Sequence, residues 1–554
     1  MTSDDLDKLL ARGFIPENLP KPFNSDSFSA EYSEYESLLS SNKDHIPYKY
    51  DVYKKKYATR RWTLLNPYNF ALLAKTLKDK WADIQATLTS SNLSLTRIEF
   101  ADAGGIRAIK QMTKTQFQDT VFSKSSSMSV LLVTDIVEHY DSTYTHSVAW
   151  AMHDKATTKQ MRNAQYQGTK PQRAAAKLAY DTLSGNIIDR VLRDGDEQQT
   201  HGIPTGPETS RIISEIVLSA VDTEFIRRLR GAGLKFVGGR YVDDYELYFE
   251  NERDADLGLQ LLREVLNKYC YKVGEAKTYL LSGPPIPVDE EWRRKLRLVV
   301  PKPILDASNA YSVTELEVPF GAMKHLIKEV VALTRENENP RIIKHALSYH
   351  LRKYKCPDSN WDLYEVYLLQ MLANYPNTAK AVFDIIQNHD KGDSLNVATV
   401  LNRLLSSKNT TVFDAVWLLY GCLLFDIDLT TESINNVVVM NDPVVWLMLT
   451  HLSKNGKAAI ADTLLQAAWE LYSLGDEGWL FKYEAIRQGW LADTDNSVSG
   501  DVFWGKLLAQ NVSFYLVQKV DIELEEGDWT DDYEDFDIDP DFEPDPDWIF
   551  PSGR

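Results

Sequence analysis

The stretch that most constrains this 554-residue chain is LKFVGGRYVDDYELYFE, residues 234–250. Two apolar, strand-like runs flank a tight turn, so the segment reads as a β-hairpin with Asp243 and Asp244 side by side at its tip. Adjacent carboxylates repel each other and are hard to keep ionised in a partly buried site, a cost that divalent cations offset. Taken alone, an Asp-Asp turn reads equally well as a solvent-exposed turn.

A third acid decides between these readings. The run SVLLVTDI is a β-branched, apolar strand that ends on Asp135, and the 108 positions from there to Asp243 leave room for a helical crossover that returns the strand beside the hairpin. Three carboxylates then converge. Oxygen ligands of this kind suit two Mg2+ ions, with Mn2+ as an alternative, and such a pair activates a 3′-hydroxyl and stabilises departing pyrophosphate. Tyr140, five positions after Asp135, falls where the chain turns under the expected nucleotide sugar; the other reading is an ordinary core tyrosine. His146 and His153 have no matching ligand cluster and read as structural.

Between the acids lies THGIPTGPETSRIISEIVLSAVD. Gly202, Pro204, Gly206 and Pro207 make a rigid loop ahead of a helix, whose backbone donors can meet a nucleotide or template strand. Further on, KVGEAKTYLL carries Lys277, which taken alone reads as a solvated lysine.

The net charge of -19 is concentrated. Residues 521–554 hold fifteen acids against Arg554 alone, a net -14, which leaves -5 on the first 520 residues. Nucleic acid is therefore neither excluded nor favoured by average charge. The three cysteines, Cys270, Cys356 and Cys422, have no metal-ligand spacing and read as small core residues of a reducing compartment. The longest apolar run, Val416 to Phe425, is far short of the ~18 residues that span a bilayer, and MTSDDLDKLL carries acids where a secretory signal needs bases. A cytoplasmic protein is expected, without a membrane partner.

The pattern divides the chain into four parts. Residues 1–50, polar and acidic with PENLPKPF, read as an extended lead-in; 51–300 alternate strand and helix signals; 301–520 read as consecutive amphipathic helices; and 521–554 as a disordered acidic tail. In the helical part, Asp442 is placed to cap a helix with Pro443 at its first position and Asn455-Gly456 at its exit. A second helix, Trp361 to Tyr375, stops at Pro376. The fold class is α/β plus all-α, the helical part being a solenoid-like repeat or a bundle.

The segments TDIVEHYDSTYTH, HGIPTGPETSRIISE, RYVDDYELYF and EAKT, in this order across roughly residues 55–285, resemble reverse transcriptases, and within them the abortive-infection and other defence-associated enzymes of bacteria, the unknown-group reverse transcriptases. The resemblance implies right-hand fingers and palm followed by a helical domain in place of a small thumb. It makes Asp135, Asp243 and Asp244 the catalytic metal ligands, Tyr140 the sugar gate and Lys277 the palm lysine, with Gly206 at the nucleotide. RRWTLLNP resembles the fingers motif, so Arg60 and Arg61 are candidates for the triphosphate, in competition with Arg107 and Lys110. Thr205 stands where templated members commonly carry Gln. The implied function is antiphage DNA synthesis from dNTPs to a single-stranded DNA product, untemplated and primed on a protein hydroxyl, by a homo-oligomer, trimeric or hexameric. The alternatives are an enzyme that copies an associated noncoding RNA, and a non-catalytic platform that senses infection.

Overall fold

The computed structural model describes residues 1–40, 43–55, 58–102, 107–288, 290–301, 316–391 and 394–517. The acidic stretch 521–554 lies outside the described residues. Strands β1 (Tyr48–Lys55) and β2 (Ala58–Leu64) form one antiparallel hairpin. Strands β3 (Val130–Thr134), β4 (Phe236–Tyr241), β5 (Asp244–Phe249) and β6 (Tyr279–Ser282) form a second, wholly antiparallel sheet in the order β4-β5-β3-β6. The hairpin read from the sequence is β4–β5, with Tyr241 opposite Asp244. The strand that leads to Asp135 is β3, hydrogen-bonded between β5 and β6.

The period of two sorts the side chains of this sheet. Val130 and Leu132 of β3, with Leu247 and Phe249 of β5, join the large core that includes Leu262 and Val265 of helix Glu252–Lys268. Leu131 and Tyr248 face the other way, onto Phe117 and Val121 of helix Lys114–Phe122. Both faces of the sheet are therefore covered by helices, giving a mixed α/β layer.

The first 50 residues differ from the extended lead-in expected of them. Thr2 and Asp5 form a reciprocal capping box that starts helix Ser3–Arg12, whose Leu6, Leu9 and Leu10 are buried at helical spacing. Phe14 then stacks on Phe70, with ring centroids 4.5 Å apart. Asn24 N donates to Phe514 O and Leu516 N to Pro22 O, at 3.3 and 2.8 Å. The segment is polar by count, yet Leu6, Leu9, Leu10, Phe14 and Phe28 are buried in a core shared with the C-terminal helices.

Beyond Lys355 the described residues run through helices in succession, among them Trp361–Asn374, Ala379–Asn388, Val412–Leu424, Pro443–Lys454 and Trp479–Arg487. Asp442 caps its helix as expected, accepting from Val444 N and Val445 N at 2.9 and 3.1 Å, and also accepts from the Tyr48 hydroxyl of β1 at 3.0 Å. Cys356 and Cys422 are buried, whereas Cys270 is exposed. It sits in a left-handed turn after helix Glu252–Lys268, where the chain reverses at the surface. No described helix is long and apolar enough to cross a membrane.

One buried ion cluster joins the hairpin to the long helix Glu208–Gly231. Arg240 of β4 is fully buried and donates from Nε to Asp222 at 2.9 Å and from its two terminal nitrogens to Glu215 at 3.0 and 2.8 Å. It also donates to Val242 O at 2.6 Å. The Tyr245 and Ser91 hydroxyls donate to Asp222 at 2.9 and 2.7 Å. Removing the guanidinium that bridges them leaves two buried acids without their shared ion pair. Arg240→Ala is therefore expected to destabilise the protein by about 3–5 kcal/mol, measured by urea unfolding. Arg240→Lys recovers only part of this because an ammonium lacks the planar fork. A loss under about 1 kcal/mol for Arg240→Ala would show that the cluster does not hold the hairpin.

Candidate active site

The tip of the β4–β5 hairpin is a two-residue turn, Val242-Asp243, and Val242 has φ +51°. Glycine is the ordinary choice at such a position, and a β-branched residue there stores about 1–3 kcal/mol of strain. Neighbouring segments impose it. Val242 N donates to Thr96 Oγ1 at 3.0 Å, Arg240 holds the Val242 carbonyl, and Tyr241 donates its hydroxyl to Met112 O at 3.0 Å. The turn aims Asp243 and Asp244 into a cleft of about 670 Å³.

Asp135 enters the same cleft from the end of β3. Because β3 neighbours β5, the end of one strand and the tip of the other hairpin lie at the same edge of the sheet. Gly274 N donates to Asp135 O at 2.8 Å, and a Cβ at Gly274 would lie 1.8 Å from Asp135 Oδ1, so only glycine lets this backbone pass. Lys277 Nζ lies 2.7 Å from Asp135 Oδ2. Burial works against the charge on Lys277, but the hydrogen bond to Asp135 and the fields of Asp244 and Asp243 hold its pKa above the usual value. Asp243 shows the converse: burial, and then the charge of Asp244, push its carboxyl up to about 7.

The three acids suit a hard divalent cation in donor type, and Asp135 Oδ1 is buried without a hydrogen-bond partner. Among the described residues, no three acid, histidine or cysteine side chains form a group that could hold a metal ion in the present arrangement. Lysines stand at two of the acids instead, Lys277 at Asp135 and Lys114 at 3.5 Å from Asp244. Lys114 also lies 3.2 Å from Glu246, which shares a strand face with Asp244 by the period of two.

Tyr140 lines the cleft and packs on His139, with ring centroids 5.1 Å apart. His139 is buried, and burial with the nearby Arg240 charge pushes its pKa down to about 3, so the ring is neutral. The Tyr140 carbonyl accepts from Ile203 N at 2.9 Å, which draws the Gly/Pro loop alongside. Gly206 in that loop has φ +126°, and a Cβ there would lie 3.2 Å from the Trp62 ring. Thr205 O accepts from Thr63 N of β2 at 2.8 Å.

Alternation along β2 separates the arginine candidates. Arg60 and Trp62 line the cleft, whereas Arg61 points the other way and pairs with Asp51 across the hairpin at 3.1 Å. Arg107 lines the cleft and pairs with Glu17, while Lys110 pairs with Asp102 at 3.0 Å and does not line it. His146 bonds Asp189, and His153 accepts from Gly185 N, both outside the cleft. Sequence reading missed Lys114, Arg211, the Arg240 cluster and the cleft wall made by Arg12, Pro16 and Lys21. Glu246, the second partner of Lys114, was missed as well, although its D-x-E spacing from Asp244 was a signal.

Two outcomes follow for the turn and its acids. A carboxyl that holds its proton more tightly folded than unfolded stabilises the fold at low pH and loses that contribution as pH rises from 3.8 through about 7. In EDTA at pH 8, Asp243→Asn is thus expected to melt higher than the parent by roughly 2–4 °C, with the gap narrowing as pH is lowered toward 4; a gap independent of pH would rule out the raised carboxyl. Val242→Gly is expected to raise the melting temperature and lower any activity of the site, because relief of strain also loosens the acids.

No protein-family model matches the chain, and no curated protein does. Among solved structures it aligns with telomerase from Candida albicans in complex with a TWJ fragment of telomeric RNA, at 12% identity and a TM-score of 0.29, over 66% of each chain. It aligns with apo telomerase from Candida tropicalis at 13% identity and a TM-score of 0.30, over 74% of this chain and 71% of that one. For a Candida tropicalis telomerase truncated from its C-terminal domain the values are 13% and 0.28, over 47% of this chain and 55% of that one. The chain spans about two thirds of the first of these and little more than half of the last. Likenesses this loose carry no argument about activity, which has to come from the site itself.

Proposed function

We propose that the chain is a DNA polymerase of the reverse-transcriptase type that adds deoxynucleotides by two-metal nucleotidyl transfer. The observation that carries this reading is the placement of Asp135 beside Asp243 and Asp244 at one edge of an antiparallel sheet, at the floor of a cleft of nucleotide size. On this reading residues 51–300 are fingers and palm, and 301–520 a helical half, repeat or bundle, in place of a thumb.

In the proposed reaction a 3′-hydroxyl oxygen forms a bond to the α-phosphorus of a dNTP and gives its proton to solvent, the bond from that phosphorus to the α–β bridging oxygen breaks, and pyrophosphate leaves. Asp135, Asp243 and Asp244 would hold two Mg2+ ions, which when bound acidify the attacking hydroxyl and neutralise charge on the phosphates. Lys277, charged beside Asp135, donates a proton to the departing pyrophosphate. Arg60 faces the phosphates from β2, and the Gly206 backbone lets the loop approach the nucleotide. Tyr140, seated on neutral His139, lies under the sugar and leaves no room for a 2′-hydroxyl. A role in phage defence, untemplated and protein-primed synthesis, assembly into trimers or hexamers and a cytoplasmic setting are supported by the sequence resemblance alone.

The test is incubation of purified protein with each dNTP and Mg2+, with and without co-purifying RNA, followed by sequencing of the product. Asp243→Asn and Asp244→Asn are expected to reduce incorporation to background while circular dichroism stays unchanged; full synthesis by either soluble variant would end the polymerase reading. Tyr140→Ala is expected to raise the ratio of rNTP to dNTP use by about tenfold or more. An unchanged ratio would make Tyr140 a core residue only.

A further inference from the structure

The proposed chemistry leaves one strongly charged feature unused. Between the Tyr140 segment and the Gly/Pro loop, helices Lys155–Ala164 and Lys170–Asp181 form an antiparallel hairpin at the surface. Residues 155–181 hold six Lys and Arg against Asp181 alone, a net +5 in a chain of net -19. The second helix buries none of its residues, and the first buries only Thr158. A helix that buries nothing contributes little to the core, so its composition is not explained by packing.

The charges are arranged. Lys155, Lys159 and Arg162 recur at i, i+4 and i+7, and Lys170, Arg173 and Lys177 at i, i+3 and i+7, so each helix presents one cationic stripe about 10 Å long. Elsewhere lysines and arginines find carboxylates, as Lys49 does with Asp196 and Arg228 with Glu264. Among the described residues, none of these six forms an ion pair with a carboxylate. Aromatic and apolar surface lies among them: Tyr166 is 74% and Leu178 66% exposed, and Lys155 lies over the Trp150 ring at 3.9 Å. The hairpin is also continuous with the site. Helix Ser147–His153 packs on helix Lys155–Ala164, and just before it Tyr144 bridges to His201 at the start of the loop that carries Gly206.

We propose that this hairpin is a docking surface for single-stranded DNA, gripping the backbone of the strand extended at the cleft with its two cationic stripes and stacking a base on Tyr166. The identity of the partner rests on the polymerase reading; the surface itself rests on charge complementarity, since a polyanion with exposed bases supplies what five exposed cations without carboxylates, and an exposed ring, lack. The hairpin holds the strand beyond the cleft, between the Tyr140 segment and the Gly/Pro loop.

The test uses the full chain and a 30-nucleotide oligo-dT with a fluorescent end, in EDTA and without dNTPs, so that binding is read separately from synthesis. The triple variant Lys170→Gln, Arg173→Gln, Lys177→Gln is expected to bind about tenfold or more weakly at 50 mM salt. Its plot of log affinity against log salt should be shallower by about 2, as three lost phosphate contacts require. Tyr166→Ala is expected to weaken binding with no change of slope. Incorporation of the first nucleotide should persist in both variants, while long products shorten. Equal affinity and slope in parent and triple variant would overturn the proposal. So would unchanged DNA binding together with a new oligomeric state, which marks a subunit contact, or with loss of binding to vesicles of anionic lipid, which marks a membrane surface. If the parent binds DNA through the hairpin yet incorporates nothing, the polymerase reading fails and the docking surface stands.

Discussion

The buried guanidinium of Arg240 is the contact on which the geometry of the cleft depends. A β-hairpin alone is marginal, and its tip is the part that frays first. Here the tip is held, because Arg240 reaches from β4 to two acids about two turns apart on helix Glu208–Gly231 while its backbone pairs with the segment around Leu93 to Leu95. Two carboxylates on one cation leave an excess of negative charge in a dry place. Burial opposes ionisation of both; Arg240 nevertheless holds Glu215 below its usual range, while Asp222 ends above. A guanidinium suits this role because its planar fork can serve Glu215, Asp222 and a backbone carbonyl at once. The strain at Val242 persists on the same account, since Arg240 and Thr96 fix the peptide from both sides.

The electrostatics of the cleft floor follow from that rigidity. Acids held close together cannot relieve their repulsion by moving apart, so they do so by taking up a proton, by pairing with a cation, or by both. Asp243 takes the first route and Asp135 and Asp244 the second, with Lys277 and Lys114 as partners. The Lys277 side chain is partly desolvated at Asp135 yet 62% exposed along its length, so it can exchange partners. A site built this way stores unfavourable charge in the absence of a ligand and discharges it when multivalent cations or phosphates arrive.

Local signals were legible in the sequence, and those that span the chain were not. Asp442-Pro443 and the Asn455-Gly456 exit set one helix to its ends, and Pro376 closed another, because caps and prolines act within a few residues. The β3 strand and the hairpin were equally plain from alternation and β-branching. Helix Ser3–Arg12 was hidden by its acids, although Thr2 and Asp5 stand at capping-box spacing and Leu6, Leu9 and Leu10 at helical spacing. Which arginine faces the cleft needed only the parity of β2, whereas RRW read as a motif treats both alike. Arg240, Lys114 and the exposed Cys270 could not be placed without the fold: Lys114 meets Asp244 across 130 positions, and no periodicity links them.

The cleft joins parts of the chain that lie far apart in sequence, and this limits what it can admit. Its walls include Arg12 and Pro16 from the first helix and its exit, and Lys380 from helix Ala379–Asn388. The N-terminal segment is bonded to the far end of the chain at Pro22 and Asn24, and Trp417 Nε1 donates to Asn18 O at 3.0 Å. Phe14, Phe28 and Phe514 pack together beneath it. To widen the cleft, this aromatic seam would have to open along with its hydrogen bonds, and each exposed phenylalanine costs about 1.5–3 kcal/mol. A volume of about 670 Å³ suits one nucleotide-sized ligand. Residues of the first helix and of helix Ala379–Asn388 thus stand on one wall of the cleft, held there by contacts that reach across the chain.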